Sequence, residues 1–250
     1  MVSVKVIKLD SINNARRIVL KVGSSLIVNP KTGNINESWL ESLIQDILFL
    51  INKNKEILIV SSGAIALGKS ELNFKNKSLK LSEKQAAAAT GQILLAKAWK
   101  RIFEKINIKC GRILVSHSDL ETRRNAMNTR ATLNTLINLK AIPIINENDT
   151  VATLEIRYGD NDQLAARIAQ LVAADVIILL SDIDGLYSED PKTSNNAIFM
   201  EEITNISKNI EYMAKNTKSS IASGGMITKI KAAKIATSAG KLSFVAFNIS

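Results

Sequence analysis

The chain alternates between short, almost entirely apolar runs and longer segments in which apolar residues recur with the period of a helix. Four of these runs end directly in small or polar residues; they are Ile18–Val22, Ile57–Val60, Ala141–Ile145 and Val176–Leu180. Strands that are apolar on both sides, rather than at alternate positions, are typical of a sheet with both faces covered. We therefore predict buried strands at these runs, with further strands at Ile113–Val115 and Ser243–Phe247.

Helical periodicity fills the segments between the strands. One face of Glu37–Asn52 carries leucines and isoleucines, namely Leu40, Leu43, Ile44, Ile47, Leu48 and Ile51. Further helices are predicted at Glu83–Lys105, Thr129–Leu139, from Gln163 through Arg167, and at Met226–Ala239. This alternation predicts the α/β class, with an open, mostly parallel sheet and helices on both faces.

Size and composition favour one cytoplasmic domain. A chain of 250 residues that is 46% hydrophobic can bury a large core, and α/β chains of this length often form a single domain. No apolar run approaches the ~18 residues that span a bilayer. The N-terminus lacks the charged-then-apolar layout of a signal peptide, so we expect a cytoplasmic location. The single cysteine, Cys110, excludes an internal disulfide and a Cys-based zinc site, and its apolar setting predicts a core residue.

The charge of the chain is strongly basic, with a formal value of +10 and a pI near 9.6. The lysines are spread along the sequence, and the aromatic residues needed for base stacking are few, with three Tyr, two Trp and six Phe. No nucleic-acid-binding motif is present, so we do not expect nucleic acid as a partner. A basic surface that attracts acidic metabolites and phosphates fits the composition better.

Two dense polar clusters follow the strand at Ala141–Ile145. The first is Asn146–Thr150, and the second, Gly159–Gln163, opens a helix. In open α/β sheets ligands bind beyond the carboxyl ends of the strands, and burying so many polar groups without a ligand is costly. We expect these carboxylates to lie at strand ends outside the core. A pair of turns with a helix cap remains the alternative, because Asn, Asp and Gly favour both.

The segment Gly63–Ser70 matches the P-loop pattern G-x-x-x-x-G-K-[ST] after a strand, and Val176–Asp182 resembles the strand and aspartate that hold magnesium in such enzymes. A phosphate-binding loop turns its amides toward the ligand, whereas the apolar residues between Gly63 and Gly68 are typical of a packed helix. We therefore favour a helix here over a P-loop. The lone His117 is interpreted as a hydrogen-bonded residue at a strand end rather than as a catalytic base.

Two other glycine-rich elements are better suited to phosphate. Lys21-Val22-Gly23-Ser24-Ser25 places a lysine at the end of the first strand, beside small residues whose amides can approach an anion. Ser223-Gly224-Gly225-Met226-Ile227-Thr228-Lys229 places paired glycines at a helix start with a lysine in the first turns. The N-terminus of a helix offers free N–H groups and a positive dipole end to phosphate.

With these segments the chain resembles the amino-acid kinase superfamily, and within it the glutamate 5-kinase family, from about Arg17 to Phe247. The matching segments occur in family order: Lys21–Ser25, Ser61–Ala66, Ala88–Gln92, Ile145–Ala152, Gly159–Asp162, Ser181–Asp182 with Gly185–Tyr187, and Gly224–Lys229. The second and fourth segments are the more specific to glutamate 5-kinases, while the first, fifth and last are shared by several kinases of the superfamily. The resemblance also accounts for the P-loop-like segment as part of the glutamate-site helix.

The resemblance implies transfer of the γ-phosphoryl group of ATP to the side-chain carboxylate of L-glutamate, with Mg²⁺, as the first step of proline synthesis. It implies catalytic roles for Lys21, Asp162 and Lys229, with Asp162 holding both lysines in position. It implies that Ser62, Asp149 and Asn161 bind glutamate, with Asp149 on the α-ammonium. The nucleotide site that it implies consists of Lys21, Ser181, Asp182, Ser223, Gly224, Gly225, Met226, Ile227, Thr228 and Lys229. It assigns no metal ligands.

The chain also departs from the family pattern. The family often has Thr where this chain has Ser181, residues 1–16 precede the family core as an extension, and the sequence stops at Ser250 without the PUA-type domain that many members add. We expect a single kinase domain over residues 1–250, a homo-oligomer (dimer or tetramer) and feedback inhibition by proline. The alternatives are a family member that acts on another carboxylate or phosphate acceptor, and a nucleotide- or RNA-binding protein without turnover.

Overall fold

Strands form where the apolar runs predict them. The computed structural model describes residues 9–74, 78–151, 161–181, 185–189, 194–200, 203, 206–216, 226–238 and 243–248. Its strands, in chain order, are β1 (Arg17–Val22), β2 (Glu56–Ser61), β3 (Cys110–Val115), β4 (Ile142–Glu147), β5 (Val176–Ser181) and β6 (Ser243–Asn248). Every residue of β4 and β5 is buried, as expected for strands that are apolar on both sides.

The helices alternate with these strands as predicted. They are α1 (Leu9–Asn14), α2 (Ser24–Ile27), α3 (Glu37–Asn52), α4 (Ala64–Glu71), α5 (Leu81–Lys105), α6 (His117–Glu121), α7 (Arg123–Asn138), α8 (Asn161–Leu171), α9 (Lys208–Asn216) and α10 (Met226–Ser238). Helix α7 begins at Arg123 rather than at the predicted Thr129. Because it buries only Leu133 and Ile137, its first turns carry no apolar stripe from which to predict a helix.

The chain folds into two compact units: the first comprises Met1–Lys21 and Gly159–Ser250, and the second Val22–Tyr158. In the second unit the strand order is β3-β4-β2, and both pairs of neighbours are parallel. In the first unit the order is β1-β5-β6, and β5 pairs with β6 in parallel. The single domain over residues 1–250, with 1–16 as an extension, stays a prediction.

Two glycines bring helices α4 and α5 into backbone contact in the second unit. A Cβ atom added to Gly68 would lie 1.7 Å from the carbonyl oxygen of Ala87, and one added to Gly91 would lie 1.8 Å from that of Ala64. The P-loop-like segment is a helix, as predicted. The helix begins at Ala64, and Gly63 before it has a left-handed backbone conformation (φ 108°). The second glycine of the segment, Gly68, lies where α4 packs on α5.

Polar contacts anchor the elements of the first unit. The carboxylate of Asp175 accepts hydrogen bonds from the backbone N–H groups of Arg16 and Arg17, at 2.9 and 2.8 Å, where β1 begins. Gln170 of α8 donates to Oγ of Ser238 at the end of α10, at 3.1 Å. The contact of Gln170 joins α8 to α10, which matters because both helices carry predicted site residues. None of the helices in the described ranges is long and apolar enough to cross a membrane.

Candidate active site

Lys21 is a buried cation within an otherwise apolar strand. It lies next to last in β1, and its residue is only 6% exposed. A lysine ammonium this deeply buried needs a charged partner, since the desolvation of an isolated charge costs far more than a fold can compensate. Its partner comes from a distant part of the sequence.

That partner is Asp162, the second residue of α8, which is 1% exposed. Its Oδ1 lies 2.6 Å from Nζ of Lys21, and its Oδ2 lies 3.3 Å from Nζ of Lys229 in α10. The hydroxyl of Thr228 donates a further hydrogen bond to Oδ2 at 2.9 Å. The structure thus brings together Lys21, Asp162 and Lys229, the three residues predicted to be catalytic.

The electrostatics of this cluster favour an anion. Burial alone would raise the pKa of Asp162, but the ammonium groups of Lys21 and Lys229 and the Thr228 hydroxyl lower that pKa to about 2. The carboxylate is therefore ionised at neutral pH. Among the described residues this cluster holds two buried ammonium groups and one carboxylate, an arrangement that favours an anionic ligand.

The predicted nucleotide-binding segment lies only partly within the described residues. Met226 begins α10, and its side chain packs in an apolar cluster that includes Leu186 and Ile230, with Ile227 against it. Because Met226 is buried, its contact with a nucleotide would come from its backbone. Ser181 ends β5 and is buried. Asp182, Ser223, Gly224 and Gly225 lie outside the described residues.

The second unit holds Asp149, two residues beyond β4 and buried. Burial raises the pKa of its carboxyl group to about 6, although the positive charge of Arg112 acts in the opposite direction. Arg112 lies in β3, where its Cα pairs with that of Ile144 in β4. Asp149 is therefore a carboxylate whose charge is only partly compensated, as expected of a group that receives a cationic ligand.

The polar cluster after Ile145 is not confined to a strand end, so the expectation that it lies outside the core is wrong. Asn146 and Glu147 belong to β4 and are 2% and 3% exposed. Gln92 of α5 accepts a hydrogen bond from the Asn146 amide at 3.3 Å and donates one to the Glu147 carbonyl at 3.2 Å. Because a neighbouring helix satisfies these amides, the strand can continue into polar residues. Asp149 and Asp162 are likewise buried.

The other predicted site residues lie at the ends of secondary structure. Ser62 follows β2, and its backbone N–H donates to the carbonyl of Val22 at 3.1 Å. Asn161 is the first residue of α8 and is buried. His117 begins α6 rather than ending a strand, and Cys110 is half-buried at the start of β3 rather than in the core.

The sequence analysis gave no role to two residues of the second unit, Gln92 and Arg112. Gln92 bonds to Asn146 and Glu147, and the charge of Arg112 acts on Asp149. Gln92 was matched only as part of the segment Ala88–Gln92. The available signal for Arg112 was a charged residue inside an otherwise apolar strand, Cys110–Val115. In the part of the chain that the structure describes, no group of three or more His, Cys, Asp or Glu side chains could hold a metal ion.

The fold and these residues define a family. The chain belongs to the amino acid kinase family, whose model matches residues 16–248. It is 54% identical over 232 residues to the glutamate 5-kinases of Brucella ovis and Brucella melitensis, an alignment that covers 93% of this chain and 61% of each relative. The chain thus spans about 61% of the length of these curated relatives.

Solved structures show the same fold. The UMP kinase of Ureaplasma parvum superposes with a TM-score of 0.59 at 21% identity, covering 94% of this chain and 90% of that one. The UMP kinase of Bacillus anthracis gives a TM-score of 0.51 at 13% identity, covering 80% of this chain and 83% of that one. The predicted fold class, a mainly parallel sheet with helices around it, is confirmed.

Proposed function

We propose that this chain carries the catalytic site of an enzyme that phosphorylates the side-chain carboxylate of L-glutamate with ATP, giving L-glutamyl 5-phosphate, the first step of proline biosynthesis. The proposal is supported by the family, by the identity to glutamate 5-kinases and by the lysine–aspartate cluster. The single observation that carries it is the buried carboxylate of Asp162, at 2.6 and 3.3 Å from two lysine ammonium groups.

The cluster suits phosphoryl transfer because that reaction is catalysed mainly by positioning and charge stabilisation. Lys21 and Lys229 would contact the transferring phosphoryl group as point charges from two elements of the first unit. Asp162 would act as a positioning residue that fixes both ammonium groups, and it cannot easily lose its charge because its pKa is about 2.

The acceptor needs no general base. The side-chain carboxyl group of glutamate has a pKa near ~4.3, so it is already ionised and nucleophilic at neutral pH. The role proposed for Asp149 is to bind the α-ammonium group of glutamate through a charge-assisted hydrogen bond. Ser62 and Asn161 would hold its carboxylate groups through hydroxyl and amide donors. His117 has no part in this scheme.

The nucleotide would be bound by Lys21, Ser181, Asp182 and the segment Ser223–Lys229, with ATP accompanied by Mg²⁺. The donor set fits an ion that the nucleotide brings with it. Asp162 is already engaged by two lysines, and the described residues provide no cage of carboxylates. Mg²⁺ retains much of its water and is commonly held by phosphate oxygens with few protein ligands, where it neutralises phosphate charge.

The decisive experiment measures ADP release with glutamate, aspartate, N-acetylglutamate, carbamate and UMP as separate acceptors. We expect turnover with glutamate only. Turnover with another acceptor and none with glutamate would show that the proposed substrate is wrong, while the family assignment would stand. ATP binding without product from any acceptor would instead support a nucleotide- or RNA-binding protein without turnover.

Three further parts of the proposal concern the protein in its cell. A homo-oligomer (dimer or tetramer), feedback inhibition by proline and a cytoplasmic location follow from the resemblance to glutamate 5-kinases. Sedimentation of the purified protein and its kinetics with added proline would test the first two. Fractionation of the source cells would test the third.

A further inference from the structure

A cavity of about 470 Å³ lies in the second unit, beside strand β3. Residues of α5, β3, β4 and the turn before β3 line it, among them Cys110, Arg112 and Ile144. None of them is among the residues assigned above to glutamate or ATP. The volume lies within the usual range of small-molecule sites.

Arg112 is the unusual member of this lining. Both terminal nitrogens of its guanidinium group, Nη1 and Nη2, are buried, and within the described residues neither donates a hydrogen bond. A buried donor without a partner costs free energy, and the cost is larger for a charged group. Arginine retains its charge under these conditions, so these nitrogens can donate to an acceptor that the described residues do not supply.

The remaining charges of the cavity favour an anion as that acceptor. Lys100 and Lys109 add two cations to that of Arg112, and Glu104 is the only carboxylate in the lining. Glu104 lies 3.5 Å from Lys100, and both side chains are mostly exposed, at 61% and 72%. Such a pair is weak. Asp149 acts on Arg112 electrostatically, but within the described residues nothing accepts a hydrogen bond from its two terminal nitrogens. Ala96, Ile108 and Ile144 provide an apolar wall.

We propose that this cavity binds a small organic oxyanion, with a carboxylate or phosphate group on the guanidinium of Arg112 and a short apolar body against Ala96, Ile108 and Ile144. The planar guanidinium matches both kinds of head group through paired hydrogen bonds. Lys100 and Lys109, at the exposed rim, raise the local concentration of anions.

The test uses Cys110, because it lines the cavity and is the single cysteine of the chain. The rate of alkylation of this thiol by iodoacetamide is measured with pentanoate, butyl phosphate or the neutral pentanol. We expect either oxyanion to protect the thiol, by about tenfold at ten times its dissociation constant, and pentanol to protect much less. Arg112→Met should abolish the protection, whereas Arg124→Met, which removes an exposed arginine of α7 outside the cavity, should retain it.

Thermal unfolding provides a second readout, which also controls for folding. Since buried donors without hydrogen bonds destabilise the free protein, Arg112→Met should raise Tm, and the oxyanions should raise Tm of the wild type only. The proposal is overturned if neither oxyanion protects Cys110, if pentanol protects equally, or if protection persists in Arg112→Met. Thiol protection requires no catalytic activity, so it separates this proposal from the proposed function.

Discussion

The carboxylate of Asp162 lies 2.6 Å from the ammonium group of Lys21, and both residues are almost completely buried. The two residues come from separate parts of the sequence, β1 and α8, within the same compact unit. The second oxygen of the carboxylate lies 3.3 Å from Lys229. Asp162 therefore sets the positions of two cations. Its loss should lower both the free energy of unfolding and kcat.

Removal of either lysine should slow phosphoryl transfer. We expect Lys21→Ala and Lys229→Ala each to lower kcat by about 10²-fold or more, because each supplies a few kcal/mol to the transition state. Lys69→Ala is the matched control, since Lys69 lies in the last turn of α4 and belongs to the P-loop-like segment. Steady-state kinetics measure the effect. An essential Lys69 with a dispensable Lys21 would restore the P-loop hypothesis.

Asp162→Asn should lower both kcat and stability. The substitution leaves the ammonium groups of Lys21 and Lys229 buried without a counter-charge, a change that typically costs about 3–5 kcal/mol. Urea denaturation should show this loss in the free energy of unfolding. The double variant Asp162→Asn with Lys229→Met should recover part of the stability and none of the activity. Full stability of Asp162→Asn would contradict the charge cluster.

Glutamate binding should weaken in acid. Because Asp149 has a pKa of about 6, its carboxylate gains a proton as pH falls through that value and loses its hold on the α-ammonium. We expect kcat/KM for glutamate to fall about tenfold per pH unit below this pKa, while the side chain of glutamate stays ionised down to ~4.3. A pH profile of kcat/KM, with circular dichroism as the folding control, measures the effect. A flat profile between pH 5 and 7 would exclude Asp149 from this role.

Asp149→Asn should raise KM for glutamate more than it lowers kcat. The ammonium contact exists in both the ground state and the transition state, so its loss is a loss of uniform binding. Asp162→Asn should show the opposite pattern, because displaced lysines impair charge stabilisation while the glutamate-binding residues remain. Equal and modest effects of the two variants on kcat and KM would show that these carboxylates are only turn and cap residues.

Gly91→Ala should destabilise the second unit severely. The added Cβ would lie 1.8 Å from the carbonyl oxygen of Ala64 and 2.6 Å from the backbone nitrogen of Gly68. Backbone atoms cannot yield as a flexible side chain does, so α4 and α5 must separate. We expect a loss of more than about 3 kcal/mol in the free energy of unfolding, against about 0.5 kcal/mol for the control Lys97→Ala on the exposed face of α5. Thermal or urea unfolding measures both, and an unchanged midpoint for Gly91→Ala would rule out the close helix contact.

Apolar patterning was enough to predict the class of fold and most element positions. The runs at Ile57–Val60 and Val176–Leu180 are strands, and Glu37–Asn52 is a helix with the predicted bounds. These features are local, because the period of the apolar residues follows directly from the geometry of a strand or a helix. The candidate residues Lys21, Asp162 and Lys229 were also identifiable, since each is part of a recognisable short segment.

The contacts among those residues depend on the folded chain. Periodicity did not indicate that Asn146 and Glu147 continue β4, because their burial requires the amide of Gln92 from a helix elsewhere in the chain. Nor did it assign Gly68 to helix packing or Arg112 to a cavity. Burial and the shifted pKa values of Asp149 and Asp162 arise from groups brought together across long sequence separations. So does the burial of the two terminal nitrogens of Arg112, which lack hydrogen bonds within the described residues. Electrostatic interaction and desolvation depend on distance in space, which the order of residues along a chain does not specify.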